Sequence, residues 1–270
     1  MPEGRKWISS LMLGLPGPLR SLRKVPVLGD LAHLLSLRFL PPDEKVWARV
    51  ERGPAEGLWL ELNPRTGQHY LHGDVEPAIQ NILSKTLKPG MVFYDLGANI
   101  GFFSLLAARL VGAAGQVFSF EPDPEVAGRL RRNILRNGFI NATAIEAGVW
   151  STSGNVNCVS ADLSSPDRGV GRFAAGQGAM VGTPTRCVAL NDFVRSAPTP
   201  DVIKCDVEGA EIEVFRGAEK LIEARHPLIL CEMHSDANDK FLREYFGRFG
   251  YSLESVDDRH VMAARKFVAK

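Results

Sequence analysis

The chain is short of cysteine, of net charge and of long apolar runs, and each shortage removes a class of protein. Cys158, Cys187, Cys205 and Cys231 are spread through 270 residues with no CxxC pair among them. That pattern excludes a zinc ribbon and a disulfide-framed fold, and it suits buried, reduced thiols in a cytoplasmic protein. Lysine and arginine (32) nearly balance aspartate and glutamate (31), for a formal net charge of +1. A groove for nucleic acid needs a basic face, so no nucleic-acid partner is expected. No apolar stretch approaches the ~20 residues that span a bilayer. Arg5 and Lys6 ahead of Trp7 to Leu13 outline a short signal peptide, but Gly14, Pro16, Gly17 and Pro18 cut it off. The segment therefore reads as retained. Neither an internal repeat nor a coiled-coil heptad is present.

What is there is an ordinary globular composition, 45% hydrophobic, in three parts. Residues 1–45 form an arm in which Gly and Pro punctuate short apolar pieces, with one amphipathic helix expected over Leu31 to Phe39 before Pro41 and Pro42. Such an arm can serve oligomer or membrane-surface contact; packing on its own domain is the plainer reading and the favoured one. Residues 46–90 read as a β-rich lead-in. Leu58 to Leu62 is a strand, Asn63 to Gly67 a turn, Gln68 to Leu71 the returning strand, and Pro77 to Leu87 a helix. Residues 91–270 alternate strand and helix, which predicts parallel strands joined by crossovers. The strands are Val92–Leu96, Val117–Phe120, Ala142–Glu146, Val202–Cys205 and Leu228–Cys231. The helices are Asn99–Val111, Pro124–Asn137 and Asn238–Phe249. Asp257 and Asp258 then turn Tyr251–Val256 back into His260–Ala264, an antiparallel hairpin closing the series. A Gly- and Ser-rich excursion over 151–188 interrupts it and is expected over the strand ends, where ligands bind in open α/β sheets.

The first strand runs through Asp95-Leu96-Gly97-Ala98-Asn99-Ile100-Gly101 into a helix. Gly97 permits the sharp turn, and Gly101 permits close packing or ligand approach. The dinucleotide fingerprint GxGxxG fails, because Asn99 stands between the glycines. A pyrophosphate needs bare backbone at that helix start; a ligand without phosphate tolerates a side chain there. Glu121, just past the second strand and followed by Pro122, can accept hydrogen bonds from both hydroxyls of a ribose. Asp95 lies one strand over, near the other end of the same cleft or as a brace for the turn.

These residues, with Ile203-Lys204-Cys205-Asp206-Val207-Glu208-Gly209-Ala210-Glu211, resemble the FkbM family of class I methyltransferases. Gly73-Asp74-Val75-Glu76 and Glu232-Met233-His234 fit as well, and the resemblance covers about residues 70–256. It implies S-adenosylmethionine as cofactor, held by Asp95, Gly97, Ala98, Asn99, Gly101, Glu121, Pro122 and Asp206. It also implies O-methylation of a hydroxyl on a small-molecule or carbohydrate acceptor. The fold it implies is an α/β, Rossmann-like, seven-stranded sheet with an antiparallel last strand, here behind an N-terminal extension. One departure stands out: Leu190 is followed by Asn191 where the family often has Asp, a change that a helix N-cap tolerates.

An alcohol acceptor must lose its proton, so a general base is sought at the ends of the fourth and fifth strands. Residues two apart in extended chain share a face. Asp206 with Glu208, and Glu232 with His234, therefore converge if those strands are neighbours. His234 is the natural base near neutral pH. The same donors suit a hard divalent metal, possible but not favoured. Two other classes fit the pattern less well: an NAD-dependent oxidoreductase, and a non-catalytic scaffold retaining the fold.

Overall fold

The computed structural model describes residues 44–158 and 183–265. The N-terminal arm with its expected helix, and the glycine-rich middle of the excursion at 159–182, lie outside the described residues. The chain divides into two compact units, with the division between Val75 and Glu76.

The first unit pairs β1 (Val46–Arg49) antiparallel with β2 (Trp59–Leu62). The expected return strand is instead a short helix, α1 (Gln68–His72). The turn at Asn63 winds in the helical sense. Asn63 Oδ1 accepts from the Arg65 N–H (2.9 Å), and the Gln68 side chain donates back to the Pro64 carbonyl (2.8 Å). The coil continues through i to i+4 bonds, from the Gly67 N–H to the Asn63 carbonyl (2.8 Å) and from the Leu71 N–H to the Gly67 carbonyl (3.0 Å).

The second unit opens with α2 (Pro77–Thr86) and then alternates. β3 (Val92–Leu96), α3 (Phe102–Val111), β4 (Gln116–Glu121), α4 (Pro124–Arg136) and β5 (Ala142–Glu146) run outward. A small sheet follows, β6 (Gly148–Val149), β7 (Gly154–Cys158) and β8 (Thr183–Val188). The excursion expected as loop thus begins and ends in paired strands, Gly154 opposite Cys187. After α5 (Leu190–Phe193) the chain returns to the centre with β9 (Val202–Cys205), α6 (Glu211–Arg216), α7 (Glu219–Arg225) and β10 (Leu228–Glu232). It closes with α8 (Asp236–Gly247), β11 (Tyr251–Ser255) and β12 (His260–Arg265). Asn191 lies inside α5 rather than at its N-cap, Ala189, and its Oδ1 accepts from the Leu221 N–H (3.0 Å). Helix α8 starts two residues before the expected Asn238, because Ser235 caps it by accepting from the Asn238 N–H.

The main sheet has seven strands in the order β11-β12-β10-β9-β3-β4-β5. β12 runs antiparallel to both its neighbours; the other pairs are parallel. This is the Rossmann-like, seven-stranded sheet that the resemblance implies, with the parallel series and closing antiparallel hairpin that the sequence pattern predicts. Its central strands read as nearly continuous apolar runs because both faces are covered. Tyr94, Leu96 and Phe120 pack on one face with Phe215 and Phe246, all fully buried. The chain winds outward from β3 to β5 and then restarts beside β3 with β9, so a crevice opens between the ends of β3 and β9. Among the described residues no helix is long and apolar enough to cross a membrane.

Candidate active site

At the crevice the turn after β3 is fixed by its neighbours. Gly97 has φ +78, and a Cβ there would lie 1.8 Å from the Asp206 carbonyl oxygen. The Asp206 N–H donates to the Leu96 carbonyl (2.9 Å), while Gly97 and Ala98 donate to the Phe120 carbonyl (3.0 and 2.9 Å). Gly97 therefore lets β9 deliver Asp206 against the turn. Gly101 (φ +91) serves packing, since its Cβ would meet Leu130 of α4 at 2.3 Å. Asn99, with φ +49, turns its N–H onto Glu121 Oε2 (2.9 Å). Glu121 Oε1 accepts from the Asp123 N–H across Pro122 (3.0 Å). Burial pushes the Glu121 carboxyl up to about 7, against those two hydrogen bonds. Asp95 is buried; its Oδ2 accepts from the Ser104 hydroxyl (2.5 Å), so it braces α3 rather than the Gly97 turn. Its Oδ1 has no hydrogen-bond partner among the described residues. Burial raises Asp95 to about 6, with Lys204 pulling the other way.

On the other side of the crevice the two expected pairs converge on one imidazole nitrogen. His234 Nε2 lies 3.4 Å from Glu208 Oε2, 3.7 Å from Asp206 Oδ1 and 3.9 Å from Glu232 Oε1. The parallel pairing of β9 with β10, Cys205 opposite Cys231, puts the two pairs side by side. Glu208 takes a left-handed backbone (φ +52) in the turn before α6. Bracing that turn falls to Glu211, whose Oε1 accepts from the Gly209 N–H (2.9 Å).

Glu211 also decides the state of His234. It is fully buried, receives the Asn238 amide on Oε2, and holds His234 Nδ1 at 2.6 Å. A carboxylate on Nδ1 fixes that nitrogen as the donor and leaves Nε2 to face the site. The Glu211 hydrogen bond raises the His234 pKa above its ordinary value; burial opposes, and the charges of Glu211, Glu208 and Asp206 add to the rise.

Five residues were not singled out from sequence. Lys204 is buried in β9 and Asp206 Oδ2 lies 3.2 Å from its Nζ, which sits over the Phe103 ring. Its place two residues before Asp206, on the same face, was the available signal. Burial works against holding Asp206 ionised, but Lys204 and His234 keep its pKa below the usual carboxylate range. Glu211 stood inside the quoted motif, and Glu76 inside Gly73 to Glu76. His260 and Arg259 gave no signal until β12 was paired with β10, which places His260 opposite Glu232.

Among the described residues, two groups have donor atoms close enough together for a divalent cation, Asp206–Glu232–His234 and Glu76–Glu232–His260. In both, protein cations already face the carboxylates: Lys204 on Asp206 and Glu76, and Arg259 on Glu232 Oε1 at 2.9 Å. The donor set therefore suits internal ion pairs better than a metal.

Residues 95–253 match the family model described as the methyltransferase FkbM domain. A hexuronic acid methyltransferase, AglP, of Haloferax volcanii is 25% identical over 181 residues, covering 66% of this chain and 71% of that protein. The 31-O-demethyl-FK506 methyltransferase FkbM of Streptomyces tacrolimicus is 28% identical over 220 residues, covering 72% and 80%. A crystal structure of a methyltransferase FkbM from Methylobacillus flagellatus superposes with a TM-score of 0.49 at 16% identity, covering 69% of this chain and 53% of that one.

Proposed function

The chain belongs to the FkbM family of methyltransferases, and we propose that it moves a methyl group from S-adenosylmethionine to a hydroxyl of a small molecule, sugar or natural product, with His234 taking the hydroxyl's proton. Family membership counts against the oxidoreductase alternative, and the convergence of Asp206, Glu208 and Glu232 on His234 counts against a scaffold. Hexuronic acid and 31-O-demethyl-FK506, in the two relatives' names, support an oxygen acceptor.

The residues of the crevice fit the cofactor. Glu121 stands where a ribose can donate two hydrogen bonds, and the open Oδ1 of Asp95 offers a buried acceptor beside the β3 turn. Asn99 occupies the position that a pyrophosphate would need bare. When bound, S-adenosylmethionine supplies an electrophilic methyl on a good leaving group, so the protein's work is alignment and proton removal.

The observation that carries the reading is the Glu211–His234 pair, with Nε2 turned to the crevice. Neutral His234 accepts a proton at Nε2, and Asp206, Glu208 and Glu232 then stabilise the imidazolium that forms. Only the neutral imidazole is a base, and its pKa is raised. The rate limb therefore lies above the ordinary histidine range, not within it as unperturbed histidine predicts. Turnover of the wild type is expected to rise with pH through that limb. His234→Ala is expected to lose about 10²–10⁴-fold in turnover, to lose the limb and to keep its cofactor affinity. A chelator in the same assay is expected to change nothing. Near-normal turnover in His234→Ala would remove the base, and a chelator that abolishes activity would transfer the carboxylates to a metal.

A further inference from the structure

Six ionisable side chains form a closed ring of alternating charge. His234 Nε2 faces Asp206 Oδ1 at 3.7 Å, and Asp206 Oδ2 faces Lys204 Nζ at 3.2 Å. Lys204 Nζ faces Glu76 Oε2 at 3.5 Å, and that same oxygen faces His260 Nε2 at 3.2 Å. His260 Nε2 faces Glu232 Oε2 at 3.6 Å, and Glu232 Oε1 returns to His234 Nε2 at 3.9 Å. Three members belong to the transfer site. Lys204, Glu76 and His260 lie behind it and have no part in proton transfer.

Glu76 has the least local reason for its position. It is the N-cap of α2, yet its side chain makes no cap hydrogen bond, and its backbone is left-handed (φ 39, ψ 65). An acid at an N-cap ordinarily accepts the free N–H groups of the first turn. This one forgoes that bond, in a conformation that long L side chains rarely adopt, and reaches Lys204 and His260 instead.

We propose that Glu76 is a positioning residue for methyl transfer: by bridging Lys204 and His260 it sets their reach to Asp206 and Glu232, and so sets the carboxylate field around His234 Nε2. This rests on the reading of His234 as the base. The groups facing His234 are Asp206 and Glu208 after β9, Glu211 of α6 and Glu232 of β10. Behind them, Arg259 of the β11–β12 turn faces Glu232, Asp257 holds His260 Nδ1, and Asp95 of β3 acts on Lys204.

The ring fixes the sign of two perturbations. Neutralising Glu76 releases Lys204 toward Asp206 and His260 toward Glu232. Both carboxylates then hold the His234 proton less strongly, and its titration moves to lower pH. Neutralising His260 takes a cation from Glu232 and leaves Glu76 to draw Lys204 off Asp206. Both changes strengthen the hold, and the titration moves to higher pH.

The test is an NMR titration of the labelled histidine rings in the full chain, without acceptor, with the His234 signal assigned by its loss in His234→Ala. Glu76→Gln is expected to shift it down and His260→Gln to shift it up. In turnover, Glu76→Gln is expected to lose about 10–100-fold at the pH plateau, the scale of a small misplacement, with partial recovery in Glu76→Asp. A His234 titration unmoved in a folded variant, or moved the same way in both, overturns the proposal. Should Glu76→Gln fail to fold, His260→Gln decides alone: an upward shift supports the ring and any other result overturns it. The titration needs no acceptor, so a wrong acceptor class fails only the turnover assay, and the two failures read apart.

Discussion

Glu121 shows how a single buried carboxyl ties structure to binding. It accepts from Asn99 and Asp123 backbone N–H groups, and burial still pushes it up to about 7. An acid in that state is half protonated at neutral pH. In the proposed binding mode ribose hydroxyls donate to this carboxylate, and cofactor affinity is then expected to rise as pH climbs through about 7. Glu121→Gln is expected to flatten that dependence, and Glu121→Ala to weaken binding by roughly 1–3 kcal/mol, the scale of hydrogen bonds to a charged group. Calorimetry across pH measures both; a wild-type affinity constant from pH 6 to 8 would take Glu121 out of the ribose site.

At the scale of the element, β12 carries a buried histidine within its backbone ladders. It lies between β10 and β11, with His260 opposite Glu232 at its first position. Burial opposes the charged form of His260, but Glu232, Glu76 and Asp257 overcome it and push its pKa up to about 10. The folded state therefore binds this proton more tightly than the unfolded chain, whose histidines titrate near 6.5. The stabilisation is complete below about 6.5 and is lost as pH rises toward about 10. Thermal unfolding of the wild type is expected to weaken across that window, and His260→Gln to be lower at pH 6.5 but flatter above it. Parallel curves for the two proteins would mean that His260 is not ion-paired.

For the seven-stranded sheet, the strand order sets the ends of β4 and β3, with Glu121 and Gly97, beside the ends of β9 and β10, with Asp206 and Glu232, on either side of one crevice. A ligand seated there bridges the two halves of the sheet and favours only the folded state. S-adenosylmethionine at a hundredfold excess over its Kd is expected to add about 2.7 kcal/mol to stability, read as a rise in Tm of several degrees. NAD at the same concentration is expected to give no rise, since Asn99 fills the place of the missing glycine. A rise with NAD and none with S-adenosylmethionine would reverse the cofactor assignment.

Much of this was legible in the residues themselves. Apolar runs placed the strands of the seven-stranded sheet to within a residue, as with Val202 to Cys205, because a strand covered on both faces has few other readings; they missed β1 and the three strands of the small sheet. The helix expected over Pro124 to Asn137 is α4, and the quoted motifs named the groups now found around His234. Alternation alone did not say that Gln68 to His72 would coil, because the turn at Asn63 winds in the helical sense through side-chain bonds to its own backbone. Nor could it give Gly97 its reason, which is the carbonyl of Asp206 arriving from a strand more than a hundred residues later. The sequence by itself determined the elements, the turn chemistry and the candidate donors, since these follow from side chains and their near neighbours. Only the tertiary structure decided that Glu211 orients His234, and that Glu76, Lys204 and His260 close the ring behind it. Charges act through space at a few ångströms, and the distances that set their sign and strength are not written along the chain.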